Sequence, residues 1–201
     1  MNHFVMSMHL ILRLAACLAI APLAACSNTP TEAPLAGAKI GGDFELVNSK
    51  GETVRWADFN GKYRMIYFGY AYCPDICPFD MQRMMAGYNK FAEAEPELAA
   101  QVQPIFVTID PERDTPAVIG EFTSAFSDKL MGLTGTPEQV ATAAKAFAVY
   151  YKKGEVNSEG GYLMDHSKAA FLMGRQGEPI AMIPVDLGGE QVAAELEKWV
   201  N

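Results

Sequence analysis

Apolar positions along the chain fall into short runs with two different spacings. Phe44-Glu45-Leu46-Val47 and Thr53-Val54-Arg55-Trp56 flank Asn48-Ser49-Lys50-Gly51, which predicts a hairpin closed by turn-forming residues. Arg64 to Tyr70 is a compact apolar run of the kind a strand buried on both faces requires. From Phe79 to Glu95 the spacing changes, with Met81, Met84, Met85, Tyr88 and Ala92 recurring at helical intervals. Val102 to Ile109 reads as the next strand. Thr115-Pro116 and Thr136-Pro137 each open a helix, with Thr as N-cap and Pro in the first turn; these helices are expected to reach about Asp128 and Tyr151. Met131 to Thr134 lies between them as a short strand. Lys168 to Met173 and Ile180 to Val185 form a hairpin around Gly174-Arg175-Gln176-Gly177, and Gly189 to Val200 closes the chain as a helix. Strands alternating with helices imply an α/β class, a central mixed sheet flanked by helices with an N-terminal β-hairpin. A strand, a CxxxC segment, a helix, a strand, a helix and finally a hairpin and helix follow one another in a thioredoxin-like order.

The N-terminal residues fit none of this pattern. Leu14 to Leu23 is apolar apart from Pro22, Arg13 is the only basic side chain before it, and the run is too short to span a bilayer. Leu23-Ala24-Ala25-Cys26 resembles a lipobox, so residues 1–25 are expected to be a lipoprotein signal peptide and Cys26 the lipidated residue. Ser27 to Pro34 is polar and Pro-containing, and residues 26–37 are expected to be a flexible tether. Residues 38–201 then form one domain, with no internal repeat. A membrane-anchored location facing the periplasm or another extracytoplasmic space follows.

Removing residues 1–25 simplifies the chemistry. Of three histidines only His166 remains, because His3 and His9 leave with the signal. Of four cysteines Cys17 leaves and Cys26 carries lipid, so Cys73 and Cys77 are the remaining free thiols. The whole chain carries 16 basic and 24 acidic residues, a formal net charge of −8, and loss of Arg13 makes it more acidic still. Such a balance lacks the basic footprint of nucleic-acid binding. An exported chain also meets an oxidising compartment, where neighbouring thiols pair unless reduced or metallated.

Cys73 and Cys77 lie just after a strand, in Tyr72-Cys73-Pro74-Asp75-Ile76-Cys77-Pro78. With Pro78 at the first helical position, Cys77 is expected at or beside the N-cap, where partial positive charge favours thiolate. An i,i+4 separation on a helical turn brings the Cα atoms to roughly 6 Å, within reach of a disulfide or a shared metal ion. So short a loop gives a disulfide little entropic leverage. His166 precedes an apolar strand, in the loop a thioredoxin fold sets opposite the cysteines. Thioredoxins carry a cis-proline in that loop; here no proline occurs between Pro137 and Pro179.

Two thiolates and an imidazole suit Cu(I), and the imidazole suits copper in either state. A Cys₂His zinc site completed by water or by Asp75, Asp110, Asp114 or Asp165 is chemically open as well, although such acids more often orient ligands or sit in solvent. Met81, Met84 and Met85 read as core, and Met164 is the thioether nearest His166 in sequence. A thiol-disulfide oxidoreductase is the alternative function. A thiol peroxidase is disfavoured, since Ile66 and Tyr70 stand where its motif has proline and threonine before Cys73.

Gly69 to Pro78 resembles the signature of the Sco/SenC family of cytochrome oxidase assembly proteins, with Ala71 where many members have threonine. Thr108 to Pro116, Leu133 to Thr136 and Asp165-His166-Ser167 resemble its second, third and fourth blocks, in family order. The resemblance implies a thioredoxin-like fold, copper held by Cys73, Cys77 and His166, and a redox-active Cys73–Cys77 pair. It implies a metallochaperone, or a thiol reductase, acting on the dinuclear copper centre of cytochrome c oxidase subunit II. An upstream copper donor or thiol reductant would then be a further partner, and Asp110 or Asp114 would tune the site.

Overall fold

The computed structural model describes residues 32–201. The signal, the lipobox with Cys26 and the first half of the tether lie outside the described residues. Contacts with the fold begin before residue 38: Leu35 N–H donates to the Ile180 carbonyl (2.9 Å), and Ala33 and Leu35 pack against the core.

The described strands are β1 (Glu45–Asn48), β2 (Thr53–Arg55), β3 (Tyr63–Gly69), β4 (Val102–Thr108), β5 (Met131–Thr134), β6 (Tyr151–Lys153), β7 (Met164–His166), β8 (Ala170–Met173) and β9 (Pro179–Met182). The helices are α1 (Ile76–Ala94), the single turn α2 (Pro96–Ala99), α3 (Pro116–Ser124), α4 (Pro137–Ala146) and α5 (Gly189–Trp199). Seven strands form one mixed sheet in the order β2-β1-β5-β4-β3-β8-β9. β3, β4 and β5 run parallel, and the outer pairings are antiparallel. β6 and β7 form a separate two-stranded ribbon.

All of β3 is buried because both sheet faces are covered. Tyr67 points to one face, stacking on Phe106 (6.1 Å) and donating its hydroxyl to Asp80 on α1 (2.9 Å). Phe106 in turn packs on Phe122 of α3 (4.9 Å). Phe68 points to the other face, onto Phe147 at the end of α4 (5.2 Å), which also packs on Phe44, Trp56 and Phe171. α5 lies close along α1 at Gly87, where a Cβ would come within 2.5 Å of Val192. The mixed sheet flanked by helices, with its N-terminal hairpin, is the thioredoxin-like arrangement expected from the order of elements.

Both Thr-Pro signals mark helix starts: Thr115 Oγ1 accepts from Val118 N–H (3.4 Å), and Thr136 Oγ1 from Gln139 N–H (3.3 Å) in a capping box. Both helices end early. α3 stops at Ser124 rather than about Asp128. α4 stops at Ala146, not about Tyr151, because Phe147 turns into the aromatic core and Ala148 adopts a left-handed φ of 52°. Residues 151–153 become β6 instead. β9 also ends early, at Met182, two residues before Pro184, which has no N–H to extend a ladder.

Candidate metal centre

The parallel strands β3, β4 and β5 end at Gly69, Thr108 and Thr134, and the first three motif blocks follow those ends. Asp114 ties the three together. Its Oδ2 accepts from Thr108 Oγ1 (2.6 Å) and from Ala71 N–H (2.9 Å), and its carbonyl accepts from Thr134 Oγ1 (2.6 Å). The loop carrying Cys73 is therefore fastened to the sheet two residues before the cysteine. Burial, opposed by those hydrogen bonds, pushes the Asp114 carboxyl up to about 6.

Helix α1 begins two residues earlier than expected. Its N-cap is Asp75, whose side chain makes no capping bond, and Cys77 is the second helical residue. Pro78 at the third position is tolerated because its missing N–H falls among donors that have no intrahelical acceptor. The cap is supplied by sulfur: Cys77 N–H points at Cys73 Sγ (3.4 Å). The helix terminus thus acts on Cys73, not on Cys77 as the sequence suggested.

The two cysteines form no disulfide and are buried, Cys73 at 8% exposure and Cys77 at 0%. A hydrogen bond from the Cys77 thiol, against the cost of burial, brings the Cys73 thiol well below its ordinary range, with further help from the backbone N–H groups of Cys77 and Asp75. Cys77 moves up, because it gives its proton to that bond and lies deeper. The opposite shifts make Cys73 the more acidic thiol of the pair and Cys77 the less acidic. Gly69 makes room for it, since a Cβ there would lie 3.0 Å from Cys77 Sγ and 2.8 Å from the Tyr67 ring.

His166 lies at the end of β7, on the two-stranded ribbon rather than in a loop, and Tyr151 is its partner in β6. Its Nε2 is 3.6 Å from Cys77 Sγ. Nδ1 is 3.0 Å from the Ser167 carbonyl oxygen, which can only accept, so Nδ1 carries the ring proton and Nε2 presents its lone pair to the sulfur. Tyr70 packs edge-on to the ring (5.8 Å). Burial raises the Tyr70 phenol to about 12.

None of the other candidate side chains hydrogen-bonds either sulfur. Asp75 and Asp165 are exposed. Asp110 is buried but engaged with Arg113 Nε (2.5 Å) and the Tyr162 hydroxyl (2.9 Å). Met81, Met84 and Met85 are core, and Met164 lines a small cleft with Ile109, Pro111 and Pro137. Sequence reasoning missed Arg113, Tyr162 and Ser167, whose contributions depend on contacts the linear chain does not show. Among the described residues no three His, Cys, Asp or Glu side chains are already gathered in metal-binding geometry.

A family model described as SCO1/SenC matches residues 32–201. The chain belongs to the SCO1/SenC family. It is 44% identical over 140 residues to protein SenC of Rhodobacter capsulatus, covering 69% of this chain and 60% of SenC. It is 43% identical over 136 residues to the mitochondrial SCO2 homolog of Mus musculus, covering 68% and 52% respectively. These matches span about half to three-fifths of the curated relatives' own length. The structure of Bradyrhizobium japonicum ScoI with copper bound matches with a TM-score of 0.72 and 34% identity, over 80% of this chain and 99% of ScoI. In SCO1/SenC terms, the four motif blocks meet at one end of the sheet, three after the parallel strands and the fourth on the ribbon facing them.

Proposed function

We propose that this chain is a copper metallochaperone that binds Cu(I) and Cu(II) through Cys73, Cys77 and His166 and assists assembly of the dinuclear copper centre in subunit II of cytochrome c oxidase. The single observation that carries this reading is the approach of His166 Nε2 to Cys77 Sγ, with the imidazole held in the tautomer that offers a lone pair. The donor set fits the metal: two soft sulfurs, one with its thiol pKa lowered toward the thiolate, and one imidazole favour Cu(I). Binding requires Cys77 to give up its proton, and a small closure of the three side chains gathers the ligands. ScoI with copper bound supplies the family precedent.

Anaerobic titration of the reduced domain with Cu(I) and Cu(II), with zinc as competitor, tests the reading. One equivalent of copper is expected, weakened by His166→Ala. Unchanged affinity in that variant would overturn the three-ligand site.

A second reading rests on the inequality of the sulfurs. Cys73 has the character of an attacking thiolate and Cys77 that of a buried resolving thiol. As a reductase, Cys73 would attack a partner disulfide, releasing one partner thiolate. Cys77 would then attack the mixed disulfide, leaving a Cys73–Cys77 disulfide and a dithiol on the partner, with two electrons transferred. Such activity surviving His166→Ala at full rate would favour this role.

We also propose that signal removal after Ala25 and lipidation of Cys26 anchor the domain outside the cytoplasm. Among the described residues no helix is long and apolar enough to cross a membrane. Retention of Cys26→Ala in the membrane fraction would count against the anchor.

A further inference from the structure

The cysteines and the histidine belong to separately built parts of the fold. Cys77 stands on α1, over the central sheet, whereas His166 stands on the β6–β7 ribbon, which shares no strand pairing with that sheet. How the ribbon docks therefore sets the distance from Nε2 to Sγ. Met164 and Tyr151 pack on the core and Tyr70 lies against His166, while the polar docking contacts are concentrated on Tyr162, two residues before β7. Its hydroxyl donates to Asp110 Oδ1 (2.9 Å), and its carbonyl accepts from Arg113 Nη1 (2.9 Å). Its ring meets two cations, Arg113 at 3.6 Å and Lys153 of β6 at 4.1 Å. Arg113 is itself fixed by Asp110, and Lys153 pairs with Glu112 (2.5 Å). Asp110 is anchored to the end of β4, its N–H donating to Thr108 Oγ1 (2.9 Å).

We infer that Asp110, Arg113 and Tyr162 form a latch that positions His166 against Cys77. None of the three touches either sulfur; they are positioning residues acting through the ribbon. The inference rests on the copper reading for its consequence, but not for its geometry. A cation–π contact and two hydrogen bonds, one of them to a buried carboxylate, are interactions of the strength that holds one discrete docking mode.

Two measurements on the mature chain test the latch. The first is amide hydrogen exchange of the metal-free, reduced protein. Tyr162→Ala is expected to speed exchange across residues 164–167 about tenfold, leaving α1 at wild-type protection. The second is Cu(I) affinity in a double-mutant cycle with His166→Ala. Tyr162→Ala is expected to weaken binding about tenfold when His166 is present and less than twofold when it is absent. Tyr162→Phe, which keeps the ring and loses the hydroxyl, is expected to fall between wild type and Tyr162→Ala in both readouts, and carries the test if Tyr162→Ala fails to fold. Unchanged ribbon exchange, or equal losses with and without His166, would overturn the latch. If the wild type binds no copper, the proposed function fails, and exchange alone decides the latch.

Discussion

The cysteine segment and the histidine ribbon supply opposite halves of one site by opposite means. Residues 70–77 run from the end of a fully buried strand into a 19-residue helix, and Asp114 fastens them to two neighbouring strand ends. Backbone hydrogen bonding and core packing hold this half. The ribbon has only three paired positions, and side chains attach it to the body. Stability is unevenly distributed in folded chains, and segments with few core contacts open at the lowest cost. On the proposed copper reading, one ligand pair is thus preset, and the third ligand can approach or withdraw. That suits a protein that must capture a metal and later release it.

The largest effects are expected on the preset half. Cys73→Ser or Cys77→Ser removes one of two soft donors and should lower Cu(I) affinity by at least about 100-fold, measured by competition against a Cu(I) chelator. His166→Ala should weaken copper by about 10- to 100-fold while leaving thermal unfolding of the apo protein near wild type, because the ring is only half-buried. If it also lowered Tm by more than a few degrees, the ribbon would be part of the stability core and the contrast between the halves would fail. Gly69→Ala should act in the opposite sense. Its Cβ would press on Cys77 Sγ and the Tyr67 ring, costing about 1–3 kcal/mol in thermal unfolding.

The same contrast explains what the sequence disclosed. β3, β4 and β5 were legible because a strand covered on both faces must be apolar throughout, and the Thr-Pro pairs disclosed two helix starts. The helix at Cys77 was misjudged by two positions. Proline is acceptable anywhere among the unpaired donors of a first turn, so Pro78 could not fix the N-cap. Its consequence was chemical: the cysteine that benefits from the helix terminus is Cys73. The ribbon was not legible at all. Tyr151-Lys152-Lys153 and Met164-Asp165-His166 are too short and too polar for any periodicity to register. Ala148, whose left-handed backbone ends α4 ahead of it, is a residue that gives no stop signal. His166, Cys73 and Cys77 could be singled out by elimination, but Tyr162 could not. Its partners Asp110 and Arg113 lie about fifty residues away, and only the fold unites them.

The smallest expected effect concerns the anchor of the preset half. Burial is the main cause of the rise of the Asp114 carboxyl to about 6, from an ordinary value near 3.8. A carboxyl raised in the folded state keeps its proton while the unfolded chain loses its own, so between those values stability falls as pH rises. Below about pH 4 both states are protonated and the penalty vanishes; above about 6 both are ionised and it is complete. Thermal unfolding of the apo protein should therefore show a contribution of at most about 3 kcal/mol, several degrees in Tm, lost between pH 4 and 6. Asp114→Asn keeps a carbonyl acceptor for Ala71 N–H and Thr108 Oγ1 but cannot ionise, so this component should flatten. If the slope persists unchanged in Asp114→Asn, it belongs to another buried acid. Asp80, also raised by burial but hydrogen-bonded to Tyr67 beneath α1, is then the group to replace.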